Sequence, residues 1–98
     1  MGYMVVLTFD IHNGDSEDYE TISAALSKKG LKKFTVAGDG ERVDLPENTY
    51  VGTFNGGGAQ DVAKDIRAWA LDIFKATGVH GKVFVMAGDN WGWASKLF

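Results

Sequence analysis

At 98 residues, 45% of them hydrophobic, the chain has material for one core and not for two. It has no apolar run that could span a bilayer and no basic-then-apolar start of a secretion signal, so a cytoplasmic protein with no membrane partner is expected. The net charge of −3 weighs against a dedicated nucleic-acid binder, and the absence of cysteine excludes disulfides, thiolate metal sites and a thiolate nucleophile.

The first element is the apolar run Tyr3-Met4-Val5-Val6-Leu7-Thr8-Phe9, which stops at a carboxylate, Asp10. A strand apolar on both faces belongs in the middle of a sheet. Alternation sends Tyr3, Val5, Leu7 and Phe9 to one face and Met4, Val6 and Thr8 to the other. Asp15 and Ser16 are N-cap candidates for a helix predicted over 16–29, with Glu17 and Asp18 at its positive end. Tyr19, Ile22, Ala25 and Leu26 recur at helical spacing, and Gly30 offers a left-handed position behind the last turn.

Lys33 to Ala37 alternates with period two and reads as a strand. Asp39-Gly40 and Pro46-Glu47-Asn48 are turn signals. Either they bracket a short strand over 41–45, or one long hairpin carries a bulge around Gly38 to Gly40. Thr49 to Phe54 is the next strand, and Gly52 within it marks a bulge or a close approach. Asn55-Gly56-Gly57-Gly58 then leads into a helix predicted over 59–76. Its stripe is Val62, Ile66, Trp69, Ala70 and Ile73, widened by Ala63 and Phe74, with Trp69 expected to rank among the costliest residues to truncate. Lys82 to Ala87 is the last strand, and Gly88-Asp89-Asn90 turns the chain into an aromatic tail.

This order predicts an α+β, ferredoxin-like βαββαβ domain covering 1–98, with a tail over 88–98. Four antiparallel strands would carry both helices on one face and leave the other bare. An exposed face bearing Met4 and Val6 is an association surface. Trp91, Trp93, Leu97 and Phe98 add an apolar load, so a homodimer is expected, with Met4, Val6, Trp91, Trp93 and Phe98 at its interface. The tail either folds back on its own domain or hooks onto a neighbour.

Asp10 is the first candidate for chemistry: a carboxylate fixed at a strand end ligates a divalent cation, acts as a base, or simply caps the following loop. His12 lies two residues on, so Asp10 and His12 form a candidate metal pair, without a third ligand placed by the sequence. Asp10 to Asp15 does not follow EF-hand spacing. The glycines at 56–58 stand where backbone amides cradle an anion, but no Gly-Lys-Ser/Thr follows and flexible spacing suits them better. Lys28, Lys29, Lys32 and Lys33 form either a phosphate-contacting patch or the solvated ends of a helix and a strand.

The start, Phe9-Asp10-Ile11 and then a helix ending Leu26-Ser27-Lys28-Lys29-Gly30, resembles the small CRISPR-associated subunit that dimerises in the spacer-integration complex. Leu45-Pro46-Glu47-Asn48-Thr49-Tyr50 before a long helix, and the end from Val83 to Trp91, look like the GhoS-type antitoxin endoribonucleases. The resemblance implies a ferredoxin-like dimer acting on RNA with magnesium or manganese. Asp10 would be its catalytic and metal residue, and the four lysines would contact the nucleic acid. Lys33-Phe34-Thr35-Val36-Ala37 departs from the Gln-x-Ser-Val-Phe-like strand of the CRISPR-associated family, so only Asp10 carries over. The alternative is a non-catalytic acidic module, an inhibitor or regulator that binds a protein through the bare sheet face or the tail.

Overall fold

The computed structural model describes residues 2–98. In chain order the elements are β1 (Gly2–Ile11), α1 (Ser16–Lys28), β2 (Phe34–Val36), β3 (Arg42–Asp44), β4 (Thr49–Asn55), α2 (Ala59–Thr77) and β5 (Gly81–Gly88). β1 is the middle strand of a three-stranded antiparallel sheet ordered β4-β1-β5. Its odd residues Tyr3, Val5, Leu7 and Phe9 are buried and the even ones between them are half-exposed, which is the alternation of a sheet covered on one side only.

The expected four-stranded sheet is not formed. β2 and β3 pair with each other in a separate two-stranded hairpin, and only an isolated Lys32–Val51 bridge ties this segment to β4. The reason is local. Gly40, with a positive φ of 87°, closes a tight turn in which its N–H donates to the Ala37 carbonyl, while the Ala37 N–H donates to the Glu41 carbonyl. That turn brings Arg42 to Asp44 back onto Phe34 to Val36 before the chain can extend along β4. Of the two readings of this stretch, the pair of turns around a short strand is the one adopted.

α1 begins and ends as its sequence dictates, and α2, which starts at Gly58 without a side-chain cap, ends so. Asp15 caps α1 in a reciprocal capping box with Asp18, at 2.9 and 3.2 Å. Past the C-cap Lys29, Gly30 takes φ 97°, and its N–H and that of Leu31 return to the carbonyls of Ser27 and Leu26. This Schellman turn drives Leu31 into the core, where it is fully buried. It also sets the Gly30 carbonyl against Gly52 of β4, leaving no room for a Cβ there, so the glycine inside that strand marks a close approach. At the end of α2, Gly78 (φ 80°) repeats the turn and buries Val79.

The core lies between the odd face of β1 and the two helices. Ile22 and Leu26 of α1 and Val62, Ile66, Ala70 and Phe74 of α2 close over Val5, Leu7 and Tyr50. Phe9 stands at the centre, its ring 5.2 Å from that of Phe74, 5.9 Å from Tyr50 and 6.2 Å from Tyr19. Trp69 and Ile73 of the expected stripe pack against this core, partly buried at its margin, with the Lys29 Nζ 5.4 Å from the indole. Phe9→Ala is therefore expected to cost about 3–5 kcal/mol, and Trp69→Ala less, because a ring at the margin of the core leaves no closed cavity. Urea melts of the two variants check the order, and a Trp69 loss equal to or above that of Phe9 contradicts the packing described.

Candidate functional site

Because the helices use one face of the sheet, the even-numbered face of β1 is the place to look for function. Residues opposite each other in an antiparallel pair share a face. Register puts Thr8 beside Phe84, Val6 beside Met86 and Val51, and Met4 beside Thr53. Phe84 and Met86 are 59% and 56% exposed, while Met4, Val6 and Val51 are half-exposed around them. The result is an apolar, solvent-facing surface across all three strands. The Lys32–Val51 bridge brings the start of the hairpin to its margin. Within the hairpin the Arg42 guanidinium lies 4.1 Å from the Phe34 ring centroid and its Nε 2.9 Å from Asp44 Oδ1.

Asp10 lies on this same face at its far end, exposed, opposite Lys82 in register. His12 follows it out of the strand, exposed, its backbone N–H donating to the His80 carbonyl at 2.9 Å. Among the described residues no group of three or more His, Cys, Asp or Glu side chains is arranged to hold a metal ion. Asp10 and His12 of one chain supply one carboxylate and one imidazole, so a magnesium or manganese ion of the kind the resemblance implies would take its remaining ligands from water, substrate phosphates or a second copy. The core contains no acid, base or amide side chain among the described residues, so any chemistry here would take place at the surface.

The four lysines diverge. Lys28 is exposed at the end of α1, and Lys29 reaches over Trp69 on α2. Lys32 lies 5.5 Å from the Phe34 ring and Lys33 6.0 Å from the Tyr50 ring. Lys33 also lines a shallow groove of about 460 Å³ along α1, with Tyr19, Glu20, Ser23 and Ser27. A smaller hollow of about 210 Å³ lies where α2 meets the start of β5, lined by Ile11, Leu71, Phe74, Val79, Lys82 and Val83. Beyond β5, the segment holding Trp91, Trp93, Leu97 and Phe98 contributes nothing to the core, and all of these side chains are exposed.

Sequence reasoning finds Met4 and Val6 on the open face but misses Phe84 and Met86, its most exposed members. Their sharing of a parity with the charged Lys82 is the available signal. Asn13 is missed as well. Its side chain replaces the next rung of the ladder: Nδ2 donates to the Gly78 carbonyl at 3.2 Å and Oδ1 accepts from the His80 N–H at 2.7 Å. This clip ties the loop after β1 to the loop before β5, and so holds Asp10, His12 and His80 at one end of the sheet. No family model, curated protein or solved structure was found to match the chain.

Asn13→Ala removes both bonds from a solvent-accessible position, for a stability loss of about 1 kcal/mol. Its sharper effect is expected at the backbone, where the His12 and His80 amides exchange with solvent faster than in the wild type. Unchanged exchange at both would show that the clip does not hold the loops together.

Proposed function

We propose that this protein is a non-catalytic binding module, an inhibitor or regulator that holds another protein against the open face of its sheet. The observation that carries the reading is the exposure of Phe84 and Met86 beside Met4, Val6 and Val51. A contiguous apolar face in a small domain is costly to leave wet, and it is the usual mark of a partner surface. Acidic balance points the same way, since a nucleic-acid binder uses basic charge gathered on one face. We read the scaffold as a reduced ferredoxin-like arrangement, and the support for this is the lateral order β5-β1-β4 with Lys32 next to Val51.

A photo-reactive phenylalanine analogue placed at position 84 tests the reading in cells. Discrete protein adducts are expected there, and none from the same analogue at Ala24, which is exposed on α1. Adducts to RNA in place of protein would overturn it, as would an identical pattern from the two positions.

A second reading, an RNA-cleaving dimer of the antitoxin type, draws on Asp10 alone, which stands exposed on the same open face. One chain offers a single carboxylate here, so on this reading the other metal ligands come from water, substrate phosphates or Asp10 of a second copy. Under the binding-module reading, Asp10→Asn changes no RNA-cleavage rate with magnesium or manganese, and shifts stability only slightly because the side chain is exposed on the strand. A cleavage activity of purified protein abolished by this one substitution, with the thermal midpoint preserved, replaces the binding module with the nuclease.

A further inference from the structure

The backbone of the sheet has two edges, and they are treated differently. The Phe9 N–H donates to the Asn48 carbonyl and the His12 N–H to the His80 carbonyl. Each residue of an antiparallel strand turns its N–H and C=O to the same side, so odd residues of β1 bond β4 and even residues bond β5. Register carries the pattern outward. On β4 it leaves Thr49, Val51 and Thr53 facing away from β1. Two of these are already occupied: Thr49 N–H donates to the Pro46 carbonyl, and Val51 exchanges bonds of 2.8 and 2.9 Å with Lys32.

On β5, Lys82, Phe84 and Met86 bond β1, and Val83, Val85 and Ala87 face away from it. No backbone partner meets these three residues among those described. β5 has eight residues without a proline, its register with β1 runs unbroken from Gly81 to Gly88, and its one charge is Lys82. Natural edges are blunted by shortness, prolines, bulges or charge, and this one has almost none of those guards.

We propose that β5 is the pairing edge for a second copy of this chain, joined antiparallel about a two-fold axis. In the register that uses the outward groups, Val85 lies opposite Val85 of the second copy and Val83 opposite its Ala87. Lys82 then faces Gly88 of the second copy, next to the Asp89 that follows, so like charges do not meet. The two sheets become one, with the helices of both copies on one side and the two open faces on the other.

The residues after β5 supply the second argument for this occupant. Antiparallel pairing carries each tail past Gly81 of the other copy, to the end where the hollow of about 210 Å³ lies. Leu71 on its wall is 40% exposed, and Trp91 and Trp93, outside the buried core, are 48% and 45% exposed. Within one chain the hollow is at the start of β5 and the tail leaves from its end, about 25 Å away. Between two chains the apolar donor and the apolar receptor lie at the same end.

This edge is distinct from the open face assigned above to another protein, so the two proposals fail separately. Sedimentation across a concentration series is expected to show a monomer–dimer equilibrium. Hydrogen exchange at the dimeric end should protect the Val83, Val85 and Ala87 amides as well as those of Phe84 and Met86. Dilution should release the first three alone. V85P removes an outward N–H without touching the β1 ladder and should leave a folded monomer. Replacing Trp91 and Trp93 by alanine should weaken the dimer about tenfold or more. The double variant F84E/M86E should keep the dimer while losing the open-face contact. A monomer at every concentration overturns the proposal. So does a dimer whose Val83, Val85 and Ala87 amides exchange freely, or one abolished by F84E/M86E, which would pair through the faces. Should V85P not fold, the exchange pattern of the wild type decides alone.

Discussion

Phe9 is the residue on which the separate elements agree. Its ring meets Tyr19 from α1, Tyr50 from β4 and Phe74 from α2, so one side chain on the middle strand fixes both helices and a neighbouring strand at once. The ring sits at the last buried position of β1, and the next residue, Asp10, is exposed. The transition from core to surface is therefore one residue wide. Whatever Asp10 does, it does from a strand end that cannot shift without dislodging four aromatic rings.

Placing all helix packing on one side has a consequence for the other. With α1 and α2 committed to the odd face, neither helix covers the even face of β1 and its neighbours among the described residues. A sheet face of this kind is tolerated when polar, as the threonines Thr8, Thr49 and Thr53 partly make it. Met4, Val6 and Val51 offset that polarity, and Phe84 and Met86 on the β5 side, the most exposed of the set, reverse it. The apolar character of the molecule is thus concentrated along β5, in its face, its edge and the segment that follows. A protein built only to be soluble would have placed charges at these positions.

The helices and the middle strand are legible in the sequence because their signals are local. Asp15 with Asp18, Gly30 with Leu31, and the alternation from Tyr3 to Phe9 each specify their own geometry within a few residues. The hairpin of β2 and β3 is legible only as one of two readings: Asp39-Gly40 signals its turn locally, but no local pattern decides whether Phe34 to Val36 also extends along β4. Trp69 is partly legible for a related reason. Helical spacing places it in the stripe, and it packs against the core, but only the C-cap of α1, whose Lys29 lies over its ring, decides that it stays at the margin. On the open face, Met4 and Val6 are found because β1 is apolar on both sides. Phe84 needs the β1–β5 register, which no local pattern contains.

That register is held at one end by two devices that the sequence spells with small or polar residues. Gly81 pairs with Ile11, and its lack of a side chain lets the Asp10 carbonyl approach where a Cβ would collide. One rung further, Asn13 substitutes its amide for a peptide group and bonds Gly78 and His80. Sheet edges normally fray at such a point, where a helix turns into a strand. Here the start of β5 is clamped to β1 at its backbone, and the outward groups of Val83, Val85 and Ala87 inherit that order. An edge already held at its start loses less conformational entropy when a second strand arrives, so the clamp that positions Asp10 would favour the pairing proposed for β5.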